Sequence, residues 1–145
     1  MIISDKGIEF LKKEEGCRLK SYKCIAGVWT IGIGHTGKTV TKDSVITEEE
    51  AVKLLLDDLK SCQLPLKKLE LTQNQYDALC SLIFNIGIGA FNKSTMYKYL
   101  QAKDYISASK QFLVWNKYTN DEGKKVVSEA LSNRRARERA IFDAL

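Results

Sequence analysis

The stretch from Glu15 to His35 holds a carboxylic acid, a thiol, a hydroxyl and the chain's single imidazole; it reads EGCRLKSYKCIAGVWTIGIGH. If a hairpin folds back on a helix that ends near Glu15, Cys24 and Thr30 face the carboxyl group across a cleft. A glutamic acid in a partly desolvated site can protonate a leaving group, and hydroxyl or thiol groups opposite it can hold a water. This layout suits glycoside hydrolysis with inversion, in which a water-sized gap separates acid and base.

The elements around this stretch are predicted from caps and periodicity. Ser4 can cap a first helix that reaches about residue 14, and Gly16 stops it. Short strands are predicted from Ser21 to Thr36, with a tight turn at Ala26–Gly27. The following segment, up to Val45, reads as a loop or a third short strand.

The remainder of the chain is predicted to be helical. Capping boxes beginning at Thr47 and Thr72 open a long helix over about 47–62 and a second helix that is apolar nearly all round, hence central. The segment 85–89 breaks this second helix. Three further helices are predicted over 94–101, 104–114 and 128–142, with a polar loop around 122–123. The class is α+β, predominantly helical, with a small strand-bearing lobe and a helical lobe joined by the long helix.

Composition limits the possible functions. A chain of 145 residues suits one domain, 1–145, with a strand-bearing lobe over about 15–60 and a helical lobe from 1–14 and 61–145. The formal net charge of +5 favours an acidic partner such as nucleic acid, an anionic membrane surface or a cell-wall polymer. We find no apolar run long enough for a membrane span and no signal peptide, so we expect synthesis and folding in the cytoplasm.

Four cysteines, Cys17, Cys24, Cys62 and Cys80, show no paired metal-ligand spacing, and one histidine cannot complete a common zinc set. Thiols are therefore expected, with no metal. A disulfide between Cys17 and Cys24 is the alternative, and it would block Cys24.

The segment EGCRLKSYKCIAGVWTIGIGHT resembles the phage-type lysozymes, the glycoside hydrolase family of the T4-lysozyme-like endolysins. Their signature is a Glu, eight residues, an Asp or Cys, five residues and a Thr, and Glu15, Cys24 and Thr30 have these separations. The likeness continues in LTQNQYDALCSLIFNIGIGAFNKSTMYKYL and in SNRRARERAIF, so it covers nearly the whole chain in order.

The resemblance implies a lysozyme-like fold and hydrolysis of the β-1,4 bond between N-acetylmuramic acid and N-acetylglucosamine in bacterial peptidoglycan. Glu15 would be the general acid, and Thr30 with Cys24 would hold the attacking water. Because many members have Asp at the position of Cys24, a neutral thiol there leaves open whether it positions water or acts as a thiolate. No metal or organic cofactor is implied.

Five further residues receive expected roles from the same resemblance. His35 would pair with Asp58 on the long helix as a structural support, and Arg134 would lie against the catalytic Glu. Asn85 is a candidate sugar contact, and Gly32 is a candidate for close backbone approach to substrate. The family also implies a monomer made in the host bacterial cytoplasm that reaches the wall after release through a phage holin, for host cell lysis.

Two alternatives to a muramidase are weighed. A lytic transglycosylase would use one Glu and no water, whereas Thr30 and Cys24 favour hydrolysis. The other alternative is a non-catalytic basic module that contacts nucleic acid or cell wall. The arginine run from Arg134 to Arg139 is compatible with this alternative. Arginines at helical spacing with an intervening acid more often form a salt-bridged surface. Trp29 and Trp115 could stack on sugar, but we expect both in the core.

Overall fold

The computed structural model describes residues 1–24 and 27–145 and contains two compact units. One unit is 8–61, and the other joins 1–7 with 62–145. The first helix, α1 (Asp5–Glu15), therefore lies mostly in the same unit as the strands, whereas we expected residues 1–14 with the helical lobe.

The unit 8–61 combines a small sheet with two helices. Strands β1 (Arg18–Lys23), β2 (Trp29–Gly32) and β3 (His35–Thr36) form an antiparallel sheet in that order, with a register shift between Arg18 and Tyr22. Helix α2 (Glu48–Cys62) follows. The buried apolar side chains of this unit come from α1, β2, α2 and the loop residues between β2 and α2. They include Leu11, Ile31, Ile33, Val40, Ala51, Leu55 and Leu59.

The other unit is mainly helical and is built around α3 (Gln73–Ile86), every residue of which from Tyr76 to Ile83 is buried. The other helices are α4 (Ile88–Asn92), α5 (Thr95–Gln101), α6 (Tyr105–Gln111) and α7 (Glu129–Asp143). Helix α3 packs against α7. A two-stranded hairpin, β4 (Lys117–Thr119) and β5 (Lys125–Val127), precedes α7.

Hydrogen bonds at the helix ends account for these boundaries. Thr72 and Gln75 form the predicted capping box of α3, and Thr47 accepts from the N–H of Glu50 at 3.1 Å in the same manner for α2. Ser4 Oγ accepts from the N–H of Gly7 and also donates to the carboxylate of Asp77, which ties the start of α1 to α3. The predicted α+β, mostly helical class is confirmed.

One expectation is extended, one needs correction and one falls partly on residues outside the described ranges. The polar loop near 122–123 is the turn of the β4–β5 hairpin, in which Asn120 Oδ1 accepts from the N–H groups of Glu122 and Lys124. The helix expected over 104–114 ends at Gln111 and tightens into a 3₁₀ turn, Phe112–Val114. The expected turn at Ala26–Gly27 lies partly outside the described residues.

The tryptophans are also placed differently from our expectation, because neither is buried. Trp29 is half-exposed, with the Lys23 ammonium 5.4 Å from its ring centre, and Trp115 lies at the open edge of a cleft. A partly exposed tryptophan ring presents an apolar face while its polar end remains in contact with water.

Tyr76 gives the helical unit a dependence on alkaline pH. Its side chain is 3% exposed and its hydroxyl donates to Gln63 Oε1 at 2.6 Å. Burial, helped by the charge of Asp77, raises the pKa of Tyr76 to about 12. Because the folded state holds this proton more tightly than the unfolded state, the contribution is complete below pH ~10 and is lost as pH rises towards ~12.

We therefore expect the free energy of unfolding to fall by on the order of 2 kcal/mol between pH ~10 and ~12 through this one group. Urea titrations at several alkaline pH values measure it, and Tyr76→Phe should flatten the curve over that range. Tyr118→Phe is the matched control because Tyr118 is 51% exposed. Equal slopes for wild type and Tyr76→Phe would contradict the assignment.

Candidate active site

Glu15 is the last residue of α1, and the chain turns sharply after it. Gly16 has φ +76° and its N–H donates to the carbonyl of Lys12 at 2.8 Å, which closes the helix. Lys12 also contacts Glu48 at 3.1 Å, which connects the last turns of α1 with the start of α2. The carboxyl of Glu15 is half-buried at the C-terminal end of a helix, where the helix dipole disfavours an anion.

Cys24 and Thr30 are joined through one backbone carbonyl. The oxygen of Val28 accepts the N–H of Cys24 at 3.0 Å and the hydroxyl of Thr30 at 3.0 Å. Thr30 lies on β2, opposite Tyr22 on one side and Thr36 on the other, and it is 4% exposed. Because its proton is donated to Val28, Thr30 Oγ1 keeps its lone pairs for accepting another hydrogen bond.

The cysteines bear on this site through their chemistry. All four are thiols in the structure, Cys17 exposed, Cys24 half-buried, and Cys62 and Cys80 buried. Burial raises the pKa of the Cys80 thiol, so this group is inert at neutral pH. The alternative of a disulfide between Cys17 and Cys24 is not what the structure contains.

Gly32 ends β2 against helix α2. It has φ +64°, and a Cβ built there would lie 3.3 Å from both Ala51 Cβ and Ile46 Cδ1. The residue is buried. A glycine is thus required here for packing of the sheet on α2, whatever part its backbone takes in binding substrate.

His35 and Asp58 form the contact that the resemblance implied. His35 Nδ1 lies 2.8 Å from Asp58 Oδ2, and the two side chains are 17% and 30% exposed. His35 is on β3 and Asp58 on α2, so the pair holds the outer strand of the sheet to the long helix. A partly buried hydrogen bond of this kind stabilises the fold by about 1 kcal/mol or more.

Asn85 lies in the helical unit, at the edge of a cleft of about 570 Å³. Its Oδ1 accepts from Arg135 Nη2 at 2.8 Å, and Arg135 Nη1 also donates to the carbonyl of Trp115 at 3.3 Å. The cleft is lined by these three residues and by Ile86, Val114, Lys117, Lys125 and Leu131. Two of these lining residues, Lys117 and Lys125, lie on the β4–β5 hairpin, which was not predicted from the sequence.

Part of the arginine run is buried, which corrects our expectation of a salt-bridged surface for Arg134 and Arg135, whereas Arg137 is exposed. Arg134, Arg135 and Glu138 are 7%, 0% and 0% exposed. Arg134 Nε lies 3.2 Å and Arg135 Nε 2.7 Å from the carboxylate of Glu138, to which Ser81 also donates at 2.5 Å. Burial raises the pKa of Glu138, and the two guanidinium groups with Ser81 limit the rise.

The expected site residues are therefore divided between the two units. Glu15, Cys24, Thr30, Gly32, His35 and Asp58 belong to 8–61, whereas Asn85 and Arg134 belong to the helical unit. Sequence reasoning missed Arg135 and Glu138. Their spacing on one helix face, three residues apart and in line with Phe142, was the available signal.

Over the described residues, 1–24 and 27–145, no group of three or more His, Cys, Asp or Glu side chains could hold a metal ion. The same residues contain no helix with the length and apolar character that crossing a bilayer requires.

Comparison with known proteins agrees with this geometry. The family model described as phage lysozyme matches residues 12–138. An endolysin of Acyrthosiphon pisum secondary endosymbiont phage 1 is 46% identical, with 99% of each chain covered. The solved endolysin from Escherichia coli O157:H7 phage FAHEc1 superposes with a TM-score of 0.91 at 38% identity, covering 99% of this chain and 94% of that one.

A third similar structure is the muramidase domain of SpmX from Asticcacaulis excentricus, with a TM-score of 0.90 at 33% identity and 99% of each chain covered. A small antiparallel sheet followed by a helical unit, with an acid at the end of the first helix, defines a lysozyme-like glycoside hydrolase. The chain belongs to the phage lysozyme family. It is an endolysin, a hydrolase that acts on peptidoglycan.

Gly32→Ala should destabilise the protein through two separate effects. A positive φ costs an L-residue about 1–2 kcal/mol, and the new methyl would press on the backbone and side chain of α2. Gly123→Ala is the matched control, since Gly123 has φ +77° but open space around it. We expect Gly32→Ala to lose at least about 1 kcal/mol more than Gly123→Ala in urea unfolding. Equal losses would show that contact with α2 is unimportant.

Proposed function

We propose that this endolysin is a muramidase that hydrolyses the β-1,4 bond between N-acetylmuramic acid and N-acetylglucosamine, with Glu15 as the general acid. The observation that carries the proposal is the position of Glu15 at the end of α1, in the same unit as the Cys24–Val28–Thr30 hydrogen-bonded hairpin. The muramidase domain among the similar structures supports the same bond specificity.

Glu15 acts by giving its proton to the glycosidic oxygen as the bond to C1 breaks. The half-buried carboxyl group of Glu15 at the end of α1 is the group to which we assign this proton transfer. Water adds to the anomeric carbon and loses its surplus proton to solvent, and the Glu15 carboxylate takes up a proton from solvent. The products are two sugar ends, one with a free hydroxyl and one with a reducing hemiacetal.

Thr30 holds the attacking water by accepting a hydrogen bond from it. Its own hydroxyl hydrogen is donated to Val28, so Oγ1 faces the water as an acceptor. A water that donates one hydrogen to Thr30 directs a lone pair towards the anomeric carbon. This arrangement is consistent with inversion, in which acid and water act from opposite faces of the sugar.

Cys24 also holds the attacking water, either as a neutral thiol or as a thiolate. A thiol accepts hydrogen bonds only weakly, so a carboxylate at the same position would serve the water equally well or better. Arg134 supports Glu15 by balancing its charge after proton transfer, and Asn85 contacts the sugar. His35 and Asp58 act as structural supports.

We extend the proposal to the biological role. The protein lyses the host cell for phage release as a monomer that acts on the wall after leaving the host cytoplasm, and a holin provides the exit. It requires neither metal nor organic cofactor, and nucleic acid is not its partner.

Glu15→Gln should abolish the clearing of a peptidoglycan suspension, with a fall in rate of at least about 100-fold, because the amide cannot donate the required proton. Glu9→Gln on the same helix is the control; its side chain is 65% exposed and the variant should clear at the wild-type rate. Wild-type clearing by Glu15→Gln would refute the mechanism. Mass spectrometry of the products should show added water, and an anhydro sugar would indicate a transglycosylase instead.

Cys24→Asp should retain wild-type activity to within a fewfold, whereas Cys24→Ala should lose more, because only Asp replaces the hydrogen-bonding atom. The same suspension assay measures both variants, and thermal unfolding verifies that each is folded. Added reductant should leave the wild-type rate unchanged, since Cys17 and Cys24 are thiols. Equal activity of Cys24→Ala and wild type would remove Cys24 from the mechanism.

A further inference from the structure

We propose that Arg135, held in place by Glu138, is a positioning residue that makes Asn85 a hydrogen-bond donor in the cleft of the helical unit. Through this donor the cleft selects acceptor oxygens of the substrate. The inference rests on the proposed function because it assigns Asn85 a contact with peptidoglycan. Neither Arg135 nor Glu138 stands among the residues that the family signature identifies.

The first step is the immobilisation of Arg135. Glu138 is completely buried, and its Oε1 lies 2.7 Å from Arg135 Nε. Its Oε2 is contacted by Ser81 at 2.5 Å and by Arg134 Nε at 3.2 Å. A buried carboxylate that lost these partners would be strongly destabilising, so the guanidinium group is fixed in place.

The second step is the polarity of the Asn85 amide. Arg135 Nη2 lies 2.8 Å from Asn85 Oδ1, and a guanidinium group has only donors. A flipped amide would place its NH₂ group against those donors, at the loss of a hydrogen bond to a charged group. Asn85 is thus locked with its oxygen towards Arg135, and Nδ2 is the group it presents elsewhere.

The third step is the chemistry of the cleft wall. Asn85 lines the cleft of about 570 Å³ together with Lys117 and Lys125, whose ammonium groups also have only donors. Trp115 supplies an apolar wall, and its carbonyl is bound by Arg135 at 3.3 Å. A cleft lined both by donors and by an aromatic residue fits an acetamido carbonyl or a carboxylate, and both occur in peptidoglycan.

Kinetics on soluble peptidoglycan strands separate this role from a general structural one. Asn85→Asp keeps the acceptor for Arg135 but removes the donor, so KM should rise about three- to tenfold while kcat stays within about twofold. Asn85→Ala should raise KM to a similar extent. An Asn85→Asp variant with wild-type KM would overturn the proposal.

Arg135→Lys tests the positioning step. A lysine cannot contact Glu138, Asn85 and Trp115 at once, so KM should rise. In an Asn85→Ala background the same substitution should leave KM unchanged, because no amide remains to be oriented. Arg137→Lys, exposed on the same helix, is the control. Equal increases in KM in both backgrounds would show a structural role and contradict the proposal.

The failure of this proposal differs from that of the proposed function. If Arg135→Lys does not fold, as thermal unfolding would show, the comparison of Asn85→Asp with Asn85→Ala still decides it. If wild type cleaves the strands and Glu15→Gln does not, the function stands, and unchanged KM values for the Asn85 variants refute only the donor assignment.

Discussion

The buried carboxylate of Glu138 must be paired, and this requirement determines how the two central helices of the helical unit pack. Glu138 has no exposed surface, and an unpaired charge there would cost several kcal/mol. Ser81 on α3 and two arginines on α7 meet that requirement together, which fixes the facing sides of the two helices that form the centre of the unit. Apolar packing alone would tolerate small shifts, but a buried carboxylate paired with three side chains, Ser81, Arg134 and Arg135, does not.

The same network extends from the core to the surface. Arg135 contacts Glu138 through Nε, and its other two nitrogens donate to Asn85 and to the carbonyl of Trp115. Both Asn85 and Trp115 line the cleft. The network that stabilises the helical unit therefore also holds Asn85, the residue for which we propose a substrate contact. This is the arrangement expected of a preorganised site, in which the supporting residues are held before the substrate arrives.

The small unit is positioned by different means, chiefly close backbone packing and short hydrogen bonds. Gly32 allows β2 to lie against α2, and the His35–Asp58 pair ties β3 to the same helix. The hairpin that carries Cys24 and Thr30 is closed by Val28. Gly32 and the His35–Asp58 pair flank the candidate catalytic groups, and the hydroxyl of Thr30 itself takes part in the bond to Val28.

Local signals were sufficient to predict most of the elements. Capping boxes at Thr47 and Thr72 and the stop at Gly16 act within a few residues, so they can be read from sequence and their helices begin or end where expected. The β4–β5 hairpin was missed because all six of its strand residues are exposed and carry no buried alternation. Alternation of apolar and polar residues reveals a strand in the sequence only when one face of the strand is buried. Neither strand of this hairpin has a buried face.

The buried arginine network was missed for a related reason. Charged residues at helical spacing are usually solvated, and only the apolar surroundings supplied by α3, distant in sequence, make Arg135 and Glu138 interior residues. The contacts of Asn85 depend on the same tertiary packing. A motif can identify the position of Asn85, but it cannot specify which end of the amide faces the cleft.

The distribution of charge links the fold to its substrate. The unit 8–61 has nine Lys and Arg residues and nine Asp and Glu residues, whereas the helical unit has fourteen against nine, so the whole formal net charge of +5 belongs to the helical unit. A polyanionic wall fragment is therefore attracted mainly to the unit that holds Asn85, Lys117 and Lys125. The unit that carries Glu15 is formally neutral, so it adds no net attraction for such a polyanion.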